Sequence, residues 1–242
     1  MLARLRTWAF NIAFFSGSVP YVLATPLMAA LGPRALRAWV RSWTRYNRHC
    51  ARIFLNIRVA QSGRIPDGPA LYPAKHQAMF ETFELVAMLD SPVIVMKQEL
   101  ARIPIWGWAA QRYGMITVDR SGSGAAMRAM LRAAEAAKAE GRSVVIFPEG
   151  TRVKPGETPP MKPGFSGLYR ALGLPVVPIA IDSGVAWPKT GPKVPNGVIH
   201  FAFQEEIPTG LPRREIEAKV HAAINALETS PINRHSREGG NS

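Results

Sequence analysis

Ser143-Val144-Val145-Ile146-Phe147-Pro148-Glu149-Gly150-Thr151-Arg152 is an unbroken apolar run that meets a proline and then turns polar. Four large apolar residues in a row, with no polar alternation, describe a strand buried on both faces. Strands of a parallel sheet covered by helices read this way. Pro148 ends the ladder, and Glu149, Gly150, Thr151 and Arg152 follow at its carboxyl end. Open α/β sheets bind their ligands beyond that end of their strands.

Working outward, similar short runs predict strands at 56–60, 69–74, 92–96, 115–118, 175–181 and 197–203, beside the one at 143–147. Between them, residues 79–89, 124–140, 164–172 and 213–228 read as helices, with Gly141 as the cap of the alanine-rich second one. Residues 153–163 hold four prolines and form a loop. The alternation predicts an α/β fold: a mixed, largely parallel sheet flanked by helices. No internal repeat is present, and the tail from Ser230 has almost nothing to bury, so residues 230–242 are expected to be disordered.

The chain has 242 residues, 47% of them hydrophobic, enough for a sizeable core. A single cysteine, Cys50, excludes an intramolecular disulfide framework and a zinc site built from several cysteines. The formal charge of +13 calls for an anionic partner, nucleic acid or membrane. Its distribution decides: from Trp8 to Gly32 no side chain is charged, while Arg4, Arg6, Arg34 and Arg37 flank the run. A membrane partner is expected, and no nucleic acid. The run is long enough to span a bilayer, but Gly17, Pro20 and Pro26 interrupt it and arginines lie on both sides. A broken, hairpin-like anchor entering one leaflet is therefore predicted, with a simple span as the alternative.

Beyond it, arginines fall at 34, 37, 41, 45, 48 and 52, within an arc of about 80° on a helix, opposite an apolar set that includes Trp39 and Trp43. A basic amphipathic helix of this kind fits a lipid interface rich in anionic lipids. The alternative is a helix whose apolar face packs on the protein's own core. The lipid reading predicts that reversing Arg41, Arg45 and Arg48 weakens membrane association. The chain thus divides into an anchor and amphipathic helix (1–57), a domain (58–229) and the tail.

Three segments carry candidate chemistry. Lys75-His76-Gln77-Ala78-Met79-Phe80-Glu81 joins a strand to a helix, and a carboxylate five residues after a histidine can turn back to hold its imidazole. Gly114 to Arg120 delivers Arg120 at the end of a strand, and residues 147–152 deliver Arg152 at another. With Lys97, these cations suggest an anionic substrate, most simply a phosphate. No nucleophile elbow, nucleotide-binding phosphate loop or metalloprotease helix is present.

In this order the segments resemble the glycerolipid acyltransferases, specifically the 1-acylglycerol-3-phosphate acyltransferases. That family has His, four residues, then Asp, where this chain has His76 and Glu81. Its Phe-Pro-Glu-Gly-Thr-Arg motif is intact at 147–152, and Val176-Val177-Pro178-Ile179-Ala180 matches its last motif. Lys97-Gln98-Glu99-Leu100, Ile103-Pro104 and Gly107-Trp108 also look like the family. Glu81 is one methylene longer than the family's aspartate, and Ala78 stands where serine is common.

The resemblance implies direct acyl transfer from acyl-CoA or acyl-carrier protein to the sn-2 hydroxyl of 1-acylglycerol-3-phosphate, giving phosphatidic acid without metal or cofactor. His76 would be the general base and Glu81 its orienting carboxylate. Arg120, helped by Lys97 and Arg152, would hold the phosphate, and Glu149, Gly150 and Thr151 would shape the acceptor pocket. Amides at the start of the helix after His76 are candidates to hold the oxyanion. The alternatives are another lysolipid or glycerol-3-phosphate as acceptor, or a non-catalytic lysolipid-binding protein. The expected location is a membrane, at the cytoplasmic face of the bacterial inner membrane.

Overall fold

The apolar run is the second strand of a parallel ladder, in a computed structural model that describes residues 1–118 and 124–228. The ladder runs β2 (Leu71–Pro73), β5 (Val144–Ile146), β3 (Val93–Lys97) and β4 (Ile116–Val118). All of its pairings are parallel, with Tyr72 and Ile94 on either side of Val145 and Lys97 opposite Val118. The two faces of β5 are both buried. Val145 joins a core cluster with Leu85, Ile179 and Phe201, while Val144 and Ile146 join another with Phe165, Leu168 and Val220.

A second ladder runs β1 (Arg58–Ser62), β7 (Val198–Phe203) and β6 (Ile179–Ile181), with β6 antiparallel to β7. Bridges from Leu71 to Val176 and from Ala74 to Ile179 attach it beside β2. The sheet is therefore mixed and largely parallel, as the sequence predicts. The run at 175–181 forms a ladder only from Ile179, because Pro175 and Pro178 have no N–H to donate.

Helices cover the sheet: α3 (Phe80–Met88), α4 (Trp106–Tyr113), α5 (Gly124–Ala139), α6 (Gly164–Leu172), the single turn α7 (Ser183–Ala186) and α8 (Arg213–Ile224). Gly141, at φ +68°, follows α5 in the left-handed conformation expected of its cap. The last helix stops at Ile224, four residues short of the predicted end.

The amino-terminal run does not break where expected. It forms one helix, α1 (Leu2–Ala30), that continues through Pro20 and Pro26. The turn at Gly32 then leads into α2 (Pro33–Leu55), which packs back along it. Donors from α2 tie it to α1: Tyr46 Oη to Ala13 O, Trp39 Nε1 to Tyr21 O and Trp43 Nε1 to Ser18 Oγ. Gly17 is a notch rather than a hinge, since a Cβ there would stand 2.0 Å from Tyr46 Oη. Phe10 packs edge-on against Trp187, which also meets Phe80, and Phe14 packs edge-on against Phe83, so α1 touches the helix that carries Glu81.

The basic face of α2 divides in two. Arg37 pairs with Glu140, Arg41 with Asp90 and the Leu89 carbonyl, and Arg48 with Glu84. Arg34, Arg45 and Arg52, on the other edge of the stripe, are exposed. Trp39, Trp43 and Tyr46 face α1. The helix thus packs its apolar face on the protein itself, which corrects the preferred lipid-facing reading of that face. The exposed apolar surface lies instead on α1, where Leu2, Leu5, Trp8, Ile12, Phe15, Val19, Leu23 and Leu27 follow at helical spacing.

Candidate active site

His76 follows the end of β2, and Glu81 lies in the first turn of α3. The imidazole Nδ1–H donates to Glu81 Oε1 at 2.9 Å. The same oxygen accepts the backbone N–H groups of Gln77 and Ala78, each at 2.7 Å. Glu81 Oε2 accepts the Ser183 hydroxyl at 2.7 Å, and the carboxylate is 0% exposed. Four donors therefore converge on this carboxylate at the amino-terminal end of a helix. An ionised carboxylate fixes the proton on Nδ1 and leaves Nε2 with its lone pair. Phe147 stacks on the imidazole with centroids 4.1 Å apart, while the histidine side chain keeps 15% exposure. A base held on one nitrogen and open at the other can take a proton from a bound hydroxyl.

The extra methylene of Glu81 therefore does not prevent the dyad contact. It does claim the amides of Gln77 and Ala78, so these two are not available to an oxyanion.

Glu149 sits behind the histidine. Its Oε2 accepts the His76 backbone N–H at 2.8 Å, and its Oε1 lies 2.7 Å from Lys75 Nζ, with both side chains buried. Burial pushes the Glu149 carboxyl above its ordinary range, and Lys75 opposes that. Lys75 is satisfied further by Glu157 O at 2.5 Å and Asn225 Oδ1 at 2.6 Å. Glu149 thus braces the histidine loop from inside and does not wall an open pocket. Gly150 follows at φ +71°, with the Phe147 carbonyl accepting its N–H, and Val153 N–H donates to His76 O. That left-handed turn suits glycine and brings the 147–153 segment back against the histidine.

Lys97 is exposed at the carboxyl end of β3, Thr151 is exposed and Arg152 is half-buried, at the same end of the sheet as His76. Among the described residues no hydrogen bond or ion pair ties these three to the dyad. Arg120 lies outside the described residues; Val118, two positions earlier, is in register with Lys97. Glu84, one turn further along α3, points away from His76 to Arg48.

Sequence reading missed the partners that come from far along the chain. Ser183 arrives from α7, and Gly184 N–H donates to Gln77 Oε1 at 2.9 Å. Glu228 accepts from Gln77 Nε2 and from Gly156 N–H, so residues after α8 brace both the histidine segment and the proline-rich loop. Only Ser183 carried a local signal, its place directly after the last motif strand.

The family profile described as Acyltransferase matches residues 56–182. The chain belongs to the acyltransferase family. The matched span holds His76, Glu81 and Glu149 and ends one residue before Ser183. Over 201 residues the chain is 31% identical to the 1-acyl-sn-glycerol-3-phosphate acyltransferase of Pseudomonas aeruginosa, covering 80% of this chain and 78% of that one. It is 28% identical over 180 residues to the 1-acyl-sn-glycerol-3-phosphate acyltransferase alpha of Mus musculus, covering 72% and 62%. A crystal structure of the 1-acyl-sn-glycerophosphate acyltransferase from Thermotoga maritima superposes with a TM-score of 0.73 at 20% identity, covering 99% of this chain and 98% of that one. The shared fold therefore extends through α1 and α2, which lie outside the family profile.

Proposed function

We propose that this acyltransferase moves a fatty acyl group from a thioester to the sn-2 hydroxyl of 1-acylglycerol-3-phosphate, giving phosphatidic acid. The carrying observation is the 2.9 Å contact of His76 Nδ1–H with the buried Glu81 carboxylate, which leaves Nε2 as the free base. His76 Nε2 takes the hydroxyl proton as the oxygen attacks the thioester carbonyl. Glu81 holds the ring and stabilises the imidazolium that forms, and the thiol leaves with a proton. Arg120, Lys97 and Arg152 hold the acceptor phosphate and place its hydroxyl. The donor is acyl-CoA or acyl-carrier protein, and no cofactor is required.

The enzyme works in a membrane, at the cytoplasmic face of the bacterial inner membrane. The outward apolar stripe of α1 lies in the leaflet that holds the acceptor, and Arg34, Arg45 and Arg52 add attraction to anionic lipids, about 1 kcal/mol for each residue near the surface.

Thiol release from acyl-CoA, with lysophosphatidic acid as acceptor in detergent, tests the reaction. His76→Ala should lower the rate by roughly 10²- to 10⁴-fold and Glu81→Ala by less. A His76→Ala enzyme within tenfold of wild type would rule out this base. Acceptors lacking the phosphate should react poorly, and equal rates would remove the phosphate-binding role of the cations.

A further inference from the structure

We infer that Ser183 is a positioning residue of the dyad, the group that lets a glutamate occupy the carboxylate position. The inference rests on the acyl-transfer reading above. Glu81 Oε1 already takes three donors, whereas Oε2 takes one among the described residues, the Ser183 hydroxyl at 2.7 Å. Serine and glutamate are both 0% exposed, so water cannot replace the bond. An ionised carboxylate can only accept, which makes the serine the donor.

Glutamate has one more rotatable bond than aspartate, and its reach to His76 therefore needs a second fixed point. Ser183 supplies it from the opposite side of the carboxylate. An aspartate at position 81 would end about 1.5 Å shorter and would not span His76 and Ser183 together without movement of the backbone.

The serine is itself held firmly. The residue before it, Asp182, accepts the backbone N–H and the Nδ1–H of His200, each at 2.7 Å. The residue after it, Gly184, donates to Gln77, and the Ser183 carbonyl accepts from Trp187 N–H at 2.7 Å. The hydroxyl is aimed at the carboxylate by contacts that involve neither His76 nor substrate. Its loss leaves Oε2 buried without a donor, and with Oε1 alone fixed by the Gln77 and Ala78 amides the carboxylate can rotate about that oxygen and misalign with the imidazole.

The test is a double-mutant cycle on the full-length enzyme in detergent, read as radiolabelled phosphatidic acid so that residual rates are measured. Ser183→Ala should lower kcat roughly 10- to 100-fold while KM for both substrates stays within twofold. In a Glu81→Ala background, where no carboxylate remains to position, Ser183→Ala should change kcat by less than twofold. A role in folding or packing alone would cost the same factor in both backgrounds and overturn the inference. So would a single Ser183→Ala variant with the wild-type kcat. Ser183→Cys, nearly isosteric but a weaker donor, should fold normally and fall between; a wild-type rate there would also count against a hydrogen-bonding role. Absence of transfer by the wild-type enzyme on every acceptor would remove the acyl-transfer reading and this inference together, whereas transfer insensitive to Ser183 removes only the latter.

Discussion

Replacing Arg48 with methionine should destabilise the enzyme in a way that depends on pH. The guanidinium makes two hydrogen bonds to Glu84, one of them from Nε at 3.0 Å, and ties α2 to the helix carrying Glu81. Glu84 is 1% exposed, so the substitution leaves a buried carboxylate without its cation. Removing one partner of a fully buried pair costs about 3–5 kcal/mol. The Arg48 side chain is 42% exposed, so water offsets part of that, and about 2–3 kcal/mol is the expected loss. At about 2–4 °C for each kcal/mol in a chain of this size, Tm should fall by about 4–12 °C at pH 8. Methionine keeps the apolar stem, which confines the change to the charge.

Burial pushes the Glu84 carboxyl above its ordinary value, and Arg48 holds it down. An acid whose folded pKa is raised binds its proton more tightly in the folded state, so stability falls as pH rises from the unfolded pKa through the folded one. Without Arg48 the folded value moves further up. The penalty in Arg48→Met is then full at pH 8 and smaller at pH 5, where the folded protein retains the proton. Adding Glu84→Gln should recover most of the lost Tm at pH 8 and little at pH 5. Scanning fluorimetry in detergent at the two pH values reads both effects. A loss under 2 °C at pH 8, or an equal loss at both, would refute the argument.

Gly184→Ala would bring a Cβ to 2.9 Å from Pro155 Cγ and 3.0 Å from Gln77 Oε1, pressing on the residue after His76. Steady-state kinetics should show kcat reduced roughly tenfold with KM little changed, and an unchanged kcat would mean that the histidine loop absorbs the push. Reversing Arg34, Arg45 and Arg52 together should weaken co-sedimentation with anionic liposomes at moderate salt, while unchanged sedimentation would exclude the basic edge from lipid binding. Arg41 and Arg48, which the arginine spacing first suggested for that test, pair with Asp90 and Glu84, so their reversal would perturb the fold as well.

What was legible in the sequence followed from how local each constraint is. The parallel sheet announced itself in runs such as 143–147, because a strand buried on both faces has no polar side to disguise it. The helices at 106–113 and 183–186 escaped: the first has Pro104 and Gly107 at its start, and the second is one turn long, too short for a period. The prolines of α1 misled for a different reason. A proline disfavours an isolated helix, but here α2 packs alongside α1 and is tied to it by hydrogen bonds from Trp39 and Tyr46, a tertiary support that no window along the chain can reveal. The arginine stripe was real as a helix face. Its partition into a protein edge and a solvent edge depended on where Asp90, Glu84 and Glu140 come to lie.

The candidate site divides along the same line, and that division bears on Glu81. The residues that touch within a few positions of His76 were readable from spacing, because a strand-to-helix turn brings positions 76 and 81 together whatever else the chain does. Apart from the Gln77 and Ala78 amides, what holds them there comes from afar: Ser183 is 102 positions from Glu81, and Glu149 is 73 from His76. A motif defined by short spacing therefore records the proposed base and its carboxylate and omits most of the groups that set their geometry. The glutamate at position 81 looks like a defect only when it is judged by the motif. In the folded protein its longer side chain meets a hydroxyl held on the far side by Asp182 and Gly184. The relevant unit is then Glu81 with Ser183, and the two positions should tolerate substitution jointly better than the separate effects predict.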